Sequence, residues 1–157
     1  MTTMKVIAIT VIVTCMSGCV GPKITPRPRP ANGEAASIDV FRRAEFLLSM
    51  APAIVAVDGI ESASLNQNSW ATIDVPSGSR TLSVRSWGWG QPSFSQTIQT
   101  VPGQRTVFEA RPNSAIWVSA LIPIAGFWIE PFLLEPRDQS FSPPYSNSLN
   151  QVHVPYQ

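Results

Sequence analysis

Two thiols, one imidazole and five indoles are the side chains of this 157-residue chain best equipped for chemistry. Both cysteines stand near the start, and Cys19 closes the tetrapeptide Met16-Ser17-Gly18-Cys19. That tetrapeptide ends an apolar run, Val6 to Thr14, which follows a short leader carrying Lys5. A positive leader, an apolar stretch of about 7–15 residues and small residues at a cut site give the order of a secretory signal. A spanning helix needs about 20 apolar residues, and here Ser17, Gly18, Gly21 and Pro22 interrupt the run too early for an uncleaved anchor. A peptidase must fit its catalytic groups around the scissile bond, so small Ser17 and Gly18 suit cleavage between Gly18 and Cys19. The product would carry Cys19 at its N-terminus as its sole thiol, which removes disulfides and multi-cysteine metal sites from consideration.

The tetrapeptide resembles the lipobox of bacterial lipoproteins, with Ser17, Gly18 and Cys19 in register and Met16 where Leu is usual. The resemblance implies a lipidated Cys19 carrying several acyl chains of the palmitate type. One chain holds a protein to a bilayer marginally and two or more hold it stably, at about 0.8 kcal/mol per buried CH₂. Val20 follows, where an Asp would imply inner-membrane retention. The likeness therefore implies an outer-membrane protein facing the periplasm. An ordinary secretory signal in which Cys19 is incidental is the alternative.

Elsewhere the sequence offers little to an enzyme. His153 is the single His, so no ordinary zinc ligand set can be assembled. A hydrolase would have to recruit that C-terminal His into a Ser-His-acid arrangement. Trp87-Gly88-Trp89-Gly90 leads to Pro92 and another extended stretch, not to a helix whose N-terminus could bind phosphate. No catalytic residue, metal or cofactor is expected. Eleven Lys and Arg face ten Asp and Glu; with Lys5 removed the charges balance, so nothing drives binding to nucleic acid. The remaining candidates are Trp70, Trp87 and Trp89. Flat indoles stack on sugar faces or anchor protein interfaces, which implies an envelope protein or a glycan such as peptidoglycan as partner. Alternatively, one or two of them close an open end of the fold over its core.

The elements that must position these residues are short strands. Fifteen prolines and only 13% charged residues disfavour long solvated helices. The expected organisation is a signal peptide over 1–18, a lipidated Cys and Pro-rich tether over 19–37, a folded domain over 38–135 and a loose tail over 136–157. Pro22, Pro26, Pro28 and Pro30 favour polyproline II, so the residues between Cys19 and Ser37 could reach on the order of 50 Å. Arg27 and Arg29 in that stretch either touch anionic lipid or cell-wall polymer, or belong to a solvated spacer.

Ile38 to Arg43 is expected to form the first strand, with Ile38, Val40 and Arg42 on one side. Ala44 to Pro52, apolar at Phe46, Leu47, Leu48 and Met50, fits a helical turn or a loop lying on the core. Ala53 to Val57 and Ile60 to Leu65 flank Asp58-Gly59, the dipeptide of a two-residue hairpin turn. Trp70 to Val75 and Thr81 to Ser86 alternate about the turn Pro76-Ser77-Gly78-Ser79. Phe94 to Val101, then Pro102-Gly103-Gln104, then Thr106 to Ala110 continue the series. Turn signals every ten residues or so predict an all-β fold, a small antiparallel sandwich or barrel, with an Ig-like sandwich the expected form.

Val57-Asp58-Gly59, Val75-Pro76-Ser77-Gly78 and Val101-Pro102-Gly103 also resemble a lipoprotein β-sandwich domain of unknown function and the PEGA-type surface domains. The likeness implies the fold and carries no catalytic residues. Ala115 to Leu134 is expected to form a hairpin turning at Pro123 to Gly126, with Pro131 putting the return strand at a sheet edge; contact with a bilayer or partner, or membrane insertion, are the alternatives.

Overall fold

The computed structural model describes residues 24–31, 33–46, 51–87, 93–116, 129–139, 150–152 and 154–155. Met16, Ser17, Gly18, Cys19 and Trp89 lie outside them. Among the described residues nine strands run in order: β1 (Ala35–Arg42), β2 (Ala53–Val57), β3 (Ile60–Leu65), β4 (Ser69–Pro76), β5 (Gly78–Ser86), β6 (Phe94–Thr100), β7 (Arg105–Pro112), β8 (Phe132–Arg137) and β9 (Asn150–Gln151). They form a five-stranded sheet, β8-β7-β1-β4-β9, packed on a four-stranded sheet, β3-β2-β5-β6. The β1–β7 and β4–β9 pairs are parallel and the others antiparallel. The fold is thus the all-β sandwich that the alternation implied.

Local chemistry explains the strands and their order. Ala71, Ile73 and Val75 of β4 are fully buried, while Trp70, Thr72 and Asp74 between them are half-exposed. This period of two puts one face on the core. Asp58 and Gly59 both take positive φ, 52° and 77°, which a two-residue turn with the twist of its strands requires. The stretch at Pro76-Ser77-Gly78 makes a corner instead of a hairpin: Gly78, at φ 115°, turns the chain from the larger sheet into the smaller one. Val101-Pro102-Gly103-Gln104 returns it to the larger sheet. Ile38, Val40, Val55, Val57, Leu65, Ile73, Leu82, Val84, Phe108 and Phe132 fill the space between the sheets.

One pairing and one boundary go beyond the sequence expectation. The strand after the long apolar stretch is β8, and it pairs antiparallel with β7, Pro112 opposite Phe132; most of its expected hairpin partner, 115–122, lies outside the described residues. Asn113 N–H donates to Pro131 O at 2.9 Å to close that pair; residues 117–128 lie outside the described ones. Among the described residues β8 is an edge strand, which suits Pro136 within it. It runs to Arg137, past the expected limit of 135.

The described parts of the tail and the tether also pack on the sandwich. Gln151 lies beside Trp70, Val152 N–H donates to Trp70 O at 2.8 Å and Val154 is buried in the core. At the other sheet, Thr25 N–H donates to Glu61 O at 3.0 Å and Arg27 N–H to Pro155 O at 3.1 Å. Arg27 is only 6% exposed. The physical reason is the open side of the sandwich, where β3 and β4 present unpaired backbone groups that must be satisfied or covered. Proline-rich and Asn/Gln-rich segments can supply those partners without carrying an apolar pattern of their own.

Candidate functional site at the apolar end of the sandwich

The sandwich has two chemically different ends. At one, strands meet through Asp58-Gly59, Ser77 and Val101 to Gln104, which are short polar turns. At the other, β1, β3, β5 and β7 finish and β2, β4, β6 and β8 begin. The connections 43–52, 87–93 and 113–131 therefore leave from this second end, and they hold Phe46 and Trp87.

Arg42 builds the floor of that end. It follows Ile38 and Val40 on the inward face of β1 and is 1% exposed. One Nη1 donates to Ala51 O at 2.6 Å and to Leu65 O at 3.1 Å, and the guanidinium lies 4.8 Å from the centroid of Phe132. Burial lowers its pKa, an effect opposed by the carboxylate of Glu45. The charge is retained because carbonyl dipoles and a ring face replace water around it. The loop after β1 is held further by the β3–β4 turn. Asn68 Oδ1 accepts from Ala44 N–H at 3.0 Å, and Gln67 Nε2 donates to Glu45 O at 2.6 Å.

On this fixed loop Phe46 stands 89% exposed. It does not lie on the core, as the sequence had allowed. Trp87, just past β5, is 39% exposed, and its N–H donates to Pro52 O at 3.0 Å, which ties it to the far end of the same loop. Trp70 is on the outer face of the larger sheet, opposite Phe41 and half-buried. The two described indoles therefore stand on different sheets. Phe46 escaped notice as a surface anchor because an apolar cluster gives no sign of which member points outward. Arg42 was legible through its alternation with Ile38 and Val40.

The ionisable groups are largely engaged with one another. On the outer face of the larger sheet Glu109, buried, pairs with Arg137 and, at 3.2 Å, with Arg43. Glu135 pairs with Arg111 and Arg137, both at 3.1 Å, and Arg111 reaches Glu45 at 4.0 Å. The hydrogen bond from Arg111 to Glu135 raises the guanidinium pKa. Asp39 pairs with Arg105, Glu61 with Arg85, and Asp58 with Arg80 at 3.2 Å. These bands are close to self-neutralising, so they focus no field toward a charged polymer. Among the described residues no group of three or more His, Cys, Asp and Glu could hold a metal ion.

Set against protein-family models, curated proteins and solved structures, the chain gives no match.

Proposed function

We propose that this chain is a lipid-anchored protein of the bacterial envelope, held through acylated Cys19 in the outer membrane and facing the periplasm. In this reading it is a non-catalytic binding or structural accessory module with a PEGA-like domain. The order Lys5, apolar run, Ser17-Gly18-Cys19 supports the anchor. The observation that carries the binding role is Phe46, a large apolar side chain held in water on a loop fixed at both ends. Isolated exposed apolar residues are ordinary; this one shares an end of the fold with Trp87, and aromatic side chains on ordered backbone make strong interface anchors.

The test has two parts. Intact mass of the membrane-extracted protein should exceed that of chain 19–157 by its acyl groups, and Cys19→Ala should wash free of membranes. Crosslinking in the native envelope should give a small set of protein partners, lost in Phe46→Ser/Trp87→Ser while the melting temperature stays put. Crosslinks indifferent to both substitutions would refute the interface.

The exposure of Trp87 favours one second reading, a glycan binder using Trp70, Trp87 and Trp89. Peptidoglycan retention that falls in Trp87→Ala and Trp89→Ala, with no protein crosslinks, would select it.

A further inference from the structure

The docking of the tether changes what an anchor at Cys19 can do. A free tether would let the domain wander tens of ångströms from the bilayer. Instead the chain is fastened to the fold at Thr25, through Glu61 O, and again at Arg27, whose Nη1 donates to Val57 O at 2.9 Å and Ser62 Oγ at 3.0 Å. A bulge in the β2–β3 pair between Val55 and Ala56 brings Ser62 into place for this contact. Five residues separate Cys19 from Thr25. Their greatest reach, from one α-carbon to the other, is about 20 Å. The nine-residue β5 alone spans about 30 Å. The leash is shorter than the body it holds.

We infer that the side of the domain formed by the β2–β3 hairpin and the docked segment from Thr25 to Arg29 rests against the lipid surface. The apolar end with Phe46 and Trp87 then points away from it, toward a protein partner. The inference rests on the anchor proposed above. Chemistry at the hairpin suits a bilayer surface. Ile60 is 37% exposed at its tip. Asp58 is paired with Arg80 and accepts from Thr81 N–H at 2.9 Å, so it presents no uncompensated anion to acidic headgroups.

The experiment uses the acylated full-length protein in phosphatidylethanolamine–phosphatidylglycerol vesicles with a quencher on the lipid headgroups. Ile60→Cys and Ser93→Cys each add one labelling thiol, the first at the hairpin and the second at the opposite end. Quenching should be several-fold stronger at residue 60 than at 93. Inserting about twelve Gly/Ser residues between Lys23 and Ile24, about 20 Å of added flexible span, should bring the two values together. Equal quenching at both sites in the parent, or a contrast unchanged by the insert, overturns the inference while leaving the anchor intact. Protein with unmodified Cys19 that fails to float with the vesicles overturns the anchor itself, and the orientation with it.

Discussion

Removing Arg27 should loosen both chain termini at once. Its Nη1 serves Val57 O and Ser62 Oγ in a nearly solvent-free site, and that docking positions its backbone N–H, which the substitution keeps, against Pro155 O. Hydrogen bonds from a charged donor contribute about 1.5–3 kcal/mol each, and stranding a buried acceptor costs about 1–3 kcal/mol. Water entry at the sandwich edge offsets part of this, so Arg27→Ala should cost about 3 kcal/mol. At roughly 3 °C per kcal/mol for a domain of this size, the melting temperature should fall by about 10 °C. Arg27→Lys keeps the charge but puts a compact, strongly hydrated ammonium where a planar, weakly hydrated guanidinium is buried, and should recover less than half of the loss. Amide exchange gives the spatial test, since the amides of Thr25, Val152 and Gln151 should lose protection before those of β5. A melting temperature within about 1 °C of the parent, with exchange at Thr25 unchanged, would refute the clamp.

Three further outcomes follow from the same geometry. Arg42→Ala should lose about 3 kcal/mol in urea unfolding, from the loss of its bonds to a buried and a half-buried carbonyl and an unfilled volume beside Phe132. Arg42→Met should lose less than half of that, because it fills the space and removes the burial of a charge. Gly59→Ala meets no atom within 4 Å, so its cost is the left-handed backbone alone, about 1 kcal/mol by thermal unfolding. Glu109→Gln leaves Arg43 and Arg137 without their shared carboxylate and should cost about 2 kcal/mol. That loss should shrink in an Arg137→Gln background, as a double-mutant cycle would measure.

The sequence by itself determined the strands and hairpin of this protein because both are encoded within a few residues. Alternation of Ala71, Ile73 and Val75 with Trp70, Thr72 and Asp74 fixes which face is buried, and Asp58-Gly59 fixes the turn that joins β2 to β3. The order at Met16 to Cys19 is equally local, so its resemblance to a lipobox can be read without the fold, and the anchor at Cys19 is proposed from that resemblance. Only the tertiary structure decided the rest. Pro76-Ser77-Gly78 reads as a turn in either case, and whether it joins neighbours or changes sheets depends on strands far along the chain. The Pro-rich stretch and the polar tail carry no apolar period, so nothing local marks them as packed. They dock because β3 and β4 leave backbone groups open at one side, and Arg27 finds Val57 O and Ser62 Oγ only once the sandwich has formed.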